Sequence, residues 1–157
     1  MPTIRIVTII AAPADRCFDL ARDIDFHTRS LASTGELAVA GRITGLIELG
    51  ESVTWEARHL GVRQRFTAKI VAFDRPMYFR DVMTAGAFRA FAHDHRFEAR
   101  SGETTMTDEI VFRSPFGPLG WLVDTVFMAR YLRRLLESRC RAIKQEAEAG
   151  SHFNGNP

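Results

Sequence analysis

The end of the chain reads as one long amphipathic helix, while most of what precedes it reads as strand. Over residues 119–147, Leu119, Leu122, Val126, Ala129, Leu132, Leu136, Ile143 and Ala147 recur at helical steps and mark one apolar face. Val123, Phe127, Tyr131 and Leu135 widen that stripe in its first half. Arg133, Arg134, Arg139, Arg141 and Lys144 are assigned to the opposite side, where the C-terminal end of a helix dipole favours cations. A stripe this wide has to be covered, and the partner at hand within the chain is a sheet. The run Ser-Pro-Phe-Gly-Pro at 114–118 separates helix from strands. Gly150 is expected to end the helix and leave 150–157 as a flexible tail.

The strands show in their period of two. Thr3 begins an Ile/Val-rich segment, and Pro13 opens a short helix whose apolar face holds Cys17, Phe18, Leu20 and Ala21. A second short helix is expected over 25–32. A strand follows at 36–40, then strand and turn to Gly50. Val53, Trp55, Ala57 and His59 share one face of the next strand, and Phe66, Ala68, Ile70 and Ala72 one face of its neighbour. Strands at 78–84, 88–100 and 104–113 complete the set, joined by short turns at Gly86 and Ser101-Gly102. Short turns imply antiparallel neighbours, and a twisted sheet of about six or seven strands curls. The expected fold is α+β: a curved antiparallel sheet gripping a long C-terminal helix, with two short helices after the first strand. Residues 1–149 form one domain.

Composition narrows the function classes. A net charge of +2 is too small to argue for nucleic acid or an anionic membrane. Only Lys69 and Lys144 are lysines, which excludes schemes needing several catalytic lysines. Cys17 and Cys140 lack a CxxC partner and fall on apolar helix faces, as buried free thiols do in a reducing compartment. No signal peptide or integral membrane segment is read, so the cytoplasm is the expected location. The apolar stripe over 121–131 also offers a homodimer contact.

Polar residues on apolar strand faces carry the chemistry. Phe91, His93, His95 and Phe97 share one face. Asp81 interrupts Phe79 and Met83; Asp108 interrupts Met106, Ile110 and Phe112. Counting back from the hairpin turns sets Asp81 opposite His93 and Asp108 beside His95. Three readings stay open. These are register-fixing core polars; or they are the polar end of a pocket, with His93 or His95 as general base and Asp81 or Asp108 setting its tautomer; or His-x-His, with its rings about 7 Å apart at the Cα atoms, joins a carboxylate around a metal. His-x-His alone is a weak signal, and no metal or cofactor is assigned. His59 lies near a hairpin tip, apart from the others, and His27 borders the mouth of any pocket.

Two segments carry a family resemblance. Ile-Ile-Ala-Ala-Pro-Ala-Asp-Arg-Cys-Phe-Asp-Leu at 9–20 runs a strand into a Pro-led helix, and Pro-Phe-Gly-Pro-Leu-Gly at 115–120 leads into the long helix. With the order of elements, they make the chain resemble the helix-grip superfamily of START lipid-transfer domains, birch-pollen-allergen-like proteins and polyketide cyclase/dehydrase-like proteins (SRPBCC). The resemblance implies a cavity for an apolar or aromatic small molecule. Trp55, His59, Phe66, Phe79, Phe91, Leu122, Val126 and Phe127 are the expected ligand contacts, with Asp81, His93, His95 and Asp108 as candidate catalytic residues. Binding is the first expectation. A cyclase, dehydratase or hydrolase using the cluster is the second, and a packed interaction domain the third, because fold does not choose among them.

Overall fold

The computed structural model describes residues 1–59, 61–113 and 127–151. The boundary at 114–118, the helical turns expected over 119–126 with Leu122 and Val126, and the tail beyond 151 fall outside the described residues. The elements are β1 (Thr3–Ile10), α1 (Ala14–Arg22), α2 (Ile24–Ser30), a 3-10 turn (Ala32–Thr34), β2 (Leu37–Gly41), β3 (Ser52–His59), β4 (Val62–Asp74), β5 (Tyr78–Ala85), β6 (Ala90–Arg100), β7 (Glu103–Arg113) and α3 (Ala129–Ser151). The strands form a seven-stranded antiparallel sheet in the order β1-β7-β6-β5-β4-β3-β2. This is the α+β helix-grip expected from the sequence. No helix among the described residues is long and apolar enough to cross a membrane.

Local chemistry sets the joints. Asp23 closes α1 and opens α2, its side chain accepting from the Phe26 amide at 3.0 Å. Ser101 and Gly102 both adopt positive φ, the turn geometry that matches the twist of paired strands. That two-residue turn fixes β6 against β7 from Arg100↔Glu103 through His95↔Asp108. The β5–β6 pairing likewise sets Asp81 against His93, as hairpin counting expects.

The register shifts in β2 between Ala38 and Ala40 and twice along the β4–β5 pair, and one of these shifts alters the core. The β4–β5 register shifts between Ile70 and Ala72, which then pairs with Arg80 on the outer face. The extra residue rotates Phe73 inward, where Ala72 was expected. Phe73 meets Phe18 edge-on at 5.2 Å, and Phe18 also touches Phe79 and Phe97 at 5.3 and 5.4 Å. Phe18 is wholly buried, which is worth about 2–3 kcal/mol for the side chain.

α3 also continues past its expected stop, through Gly150 to Ser151. Arg16 of α1 packs beside this last turn. Its Nε and Nη2 donate to the Ala147 and Glu146 carbonyls at 2.9 and 2.8 Å, as a basic side chain near a helix C-terminus does. A Cβ at position 150 would lie 2.1 Å from Arg16 Nη2. Glycine there makes room for the guanidinium instead of terminating the helix.

Candidate functional site

Between α3 and the sheet lies a cavity of about 460 Å³. Its walls come from the inward faces of β3 to β6 and from the first described turns of α3. Trp55, Phe66, Phe91, Leu132 and Leu135 line the apolar part. The floor is charged: Asp81, His93 and His95 line it, and fully buried Asp108 lies behind them.

The strand register makes a closed ring of these four side chains. His93 Nε2–H donates to Asp108 Oδ1 at 3.1 Å, and His95 Nε2–H donates to Asp81 Oδ2 at 3.1 Å. Each hydrogen bond therefore runs diagonally, to the carboxylate beside the other histidine. His95 Nδ1 lies 2.8 Å from Asp108 Oδ1 but out of line for a hydrogen bond. His93 Nδ1 faces Asp81 Oδ2 at 3.9 Å. The two imidazoles are 3.7 Å apart at their centroids, and Phe79 stacks on His95 at 4.0 Å. Asp108 Oδ2 accepts from the Cys140 thiol of α3 at 3.5 Å, which ties the helix to the ring.

Burial and pairing shift the two histidines in opposite directions. Burial lowers His93, the neighbouring His95 lowers it further, and the ring stays neutral. Burial also disfavours charge on His95, but the close carboxylates of Asp108 and Asp81 outweigh it and raise its pKa. Burial pushes both carboxyls up, and the histidine partners overcome that, holding Asp81 below and Asp108 far below the usual range. For Cys140, burial pushes the thiol up and Asp108 adds to it, so it stays protonated.

A second polar group closes the same cavity toward α2. Arg139 donates to His27 Nδ1 and to the Ala21 carbonyl, and His27 stacks on Trp55 at 4.1 Å. His27 Nε2 faces Glu36 Oε1 at 3.3 Å. Burial and then Arg139 keep His27 below its ordinary value. Nearer the opening, His59 Nδ1 and the Tyr131 hydroxyl are 2.6 Å apart.

A family model for polyketide cyclase / dehydrase and lipid transport matches residues 1–148. The chain belongs to that family. Solved structures agree on the fold. A Thermus thermophilus protein is 19% identical over 96% of this chain and 99% of its own, with TM-score 0.76. Ms6760 of Mycobacterium smegmatis is 19% identical over 94% and 92%, with TM-score 0.69. Major latex-like protein 151 of Panax ginseng is 16% identical over 93% and 97%, with TM-score 0.69. No curated protein matches.

In this polyketide cyclase/dehydrase-type chain, Trp55, His59, Phe66, Phe79 and Phe91 all line the cavity, together with Asp81, His93 and His95. Asp108 touches the histidines without facing the space. Phe127 is 54% exposed and does not line the cavity. Leu122 and Val126 lie outside the described residues. Arg139 and Glu36 also line the cavity, though neither is among the residues expected there. Arg139 was assigned to the basic outer side, yet it points inward. The signal was its spacing: it falls four residues after Leu135 and four before Ile143, on the apolar stripe itself.

Proposed function

We propose that the chain binds an amphipathic small molecule, with an apolar or aromatic body between α3 and the sheet and a polar end on the Asp/His and Arg139 groups. One observation carries this reading: a space of about 460 Å³ whose walls are apolar and whose floor is charged. That volume falls within the roughly 300–1,000 Å³ of small-molecule sites, which pair an apolar lining with a few convergent polar groups. An unfilled apolar wall forfeits dispersion contacts, so a ligand has something to restore. The family's description, which includes both cyclase/dehydrase activity and lipid transport, supports the same class of ligand.

Native mass spectrometry of protein purified from its own host tests it. A retained small molecule is expected, and the same molecule should raise the melting temperature. Ala57→Trp fills the cavity from a buried position on β3 and should abolish retention while leaving the circular dichroism unchanged. If nothing is retained, no apolar aromatic compound stabilises the fold, and Ala57→Trp proves more stable than the parent, the pocket is simply a packing gap.

A second reading, proton transfer on the bound molecule, has its own observation. His93 lines the cavity while Asp108 holds its Nε2, the arrangement of an oriented general base. His93→Gln would then remove turnover and keep binding. Equal turnover in that variant ends this reading.

A further inference from the structure

His93 and Asp81 meet as two acceptors. The His93 Nε2–H is spent on Asp108, so the lone pair of the neutral ring sits on Nδ1. That lone pair looks at Asp81 Oδ2 across 3.9 Å. Among the described residues no donor to His93 Nδ1 stands between them. Two electron pairs facing each other in a half-enclosed site repel, and a cation between them turns the repulsion into attraction.

We propose that His93 Nδ1, His95 Nε2 and Asp81 Oδ2 bind a divalent transition-metal ion at the cavity floor, with Asp108 as the shared outer partner of both imidazoles. The separations fit. His95 Nε2 and His93 Nδ1 lie 3.1 and 3.9 Å from Asp81 Oδ2, and one ligand atom from each residue falls within 4.8 Å of the others. Bonds of about 2.0–2.2 Å to one ion set ligand atoms roughly 3–3.6 Å apart, so the site closes by a small inward movement.

Asp108 already stands behind both rings, bonded to His93 Nε2 and needing only a turn of His95 to align with its Nδ1. Asp108 Oδ1 lies 3.1 Å from His93 Nε2 and 2.8 Å from His95 Nδ1, the far nitrogen of each ring. A carboxylate behind a ligating histidine fixes tautomer and ring direction and strengthens the ligand. Phe79, stacked on His95 at 16° between planes, holds that ring against flipping. The Cys140 thiol occupies the other oxygen of Asp108.

Charge and ligand type point the same way. Ligation at His95 Nε2 displaces the proton it now gives to Asp81; the two carboxylates with two neutral imidazoles then carry −2, which a divalent ion cancels. Arg139 adds positive charge from α3 without taking a place among the three ligands. Two imidazoles and one carboxylate select zinc, cobalt or ferrous iron over magnesium and calcium, which want an oxygen shell. The remaining coordination positions face the cavity, where a bound molecule can reach them.

The ion shares the cavity with the ligand of the proposed function, but the probe is metal alone, so failure here leaves the binding reading standing. Protein stripped with a chelator is titrated with Zn²⁺ by calorimetry and with Co²⁺ by visible absorption. One equivalent should bind, with ligand-field bands for Co²⁺ and a raised melting temperature. Asp81→Asn, nearly isosteric, should abolish stoichiometric binding, and His93→Ala should do the same. Asp108→Asn keeps all three ligands and should weaken binding about 10- to 100-fold. Glu103→Ala, exposed at the start of β7, should leave metal binding unchanged. No stoichiometric Zn²⁺ binding by the parent chain, equal binding by Asp81→Asn, or equal affinity for Mg²⁺ would each overturn the site.

Discussion

The two halves of α3 lie over different interiors. Toward its C-terminus Leu136, Cys140, Ile143 and Ala147 are at most 4% exposed, in one core with Phe18 of α1 and Ile4 and Ile10 of β1. Toward its start Tyr131, Leu132 and Leu135 are only half-buried and look across the cavity at Trp55, Phe66 and Phe91. The same apolar stripe serves both halves. What differs is the opposite wall, which reaches the helix at one end and stands back from it at the other. An apolar stripe thus records that a helix face is turned inward. It does not record whether anything touches that face.

The largest expected difference comes from one substitution made at both ends. Phe18→Ala removes a ring packed against three others and should cost about 3–5 kcal/mol in urea titrations. Phe91→Ala removes a half-buried ring that already borders open space. Its loss extends an existing cavity and should cost at most about 2 kcal/mol. Equal costs would mean that the open end is as tightly packed as the closed one.

The helix offers the same contrast on a smaller scale. Ile143→Ala, at 1% exposed, should cost about 2–4 kcal/mol, and Leu132→Ala less than about 1.5 kcal/mol. A bound apolar molecule should widen the Leu132→Ala effect and leave Ile143→Ala unchanged. A ligand that moves both equally does not sit in the cavity.

Particular residues show what the sequence made legible. Alternation and turn residues were enough to bring Asp81, His93, His95 and Asp108 together, because register in tight hairpins is arithmetic. The bulge after Ile70 was not legible, since an extra residue in a strand leaves the composition of either face unremarkable. Arg139 was missed for a different reason. Its charge argued for solvent, while its partners, His27 and the Ala21 carbonyl, are more than a hundred residues away in the chain. Whether apolar faces touch or leave a space depends on sheet curvature over many residues, and no local pattern encodes that.

The cavity end also carries a pH signature. Glu36 sits just before β2 and faces His27 from α2, His59 from β3 and Arg139 from α3. Burial pushes its carboxyl up, but its contact with His27, helped by His59 and Arg139, outweighs burial and holds it below the ordinary value. A carboxyl lowered on folding contributes its full stability above the unfolded-state value and loses it as pH falls through the folded-state value. Urea midpoints should therefore fall on acidification below the usual carboxylate range, and Glu36→Gln should make that fall shallower. An unchanged slope in Glu36→Gln would place the acid-sensitive groups elsewhere.

The smallest effect tests the closed end at its edge. Gly150 lies in the last turn of α3, and alanine in a helix is normally more stable than glycine by about 0.5–1 kcal/mol. Here the new methyl would sit where Arg16 reaches the Glu146 and Ala147 carbonyls, so the helix gain is offset by a displaced cap. Gly150→Ala should leave the parent unchanged or slightly weaker. In an Arg16→Ala background nothing is left to displace, and the same substitution should stabilise. The double-mutant cycle then shows a coupling of about 0.5–1 kcal/mol between positions 16 and 150, the range expected for neighbours that share a contact. If Gly150→Ala stabilises both backgrounds equally, Arg16 does not hold the end of α3. The closed end would then owe its firmness to buried side chains alone.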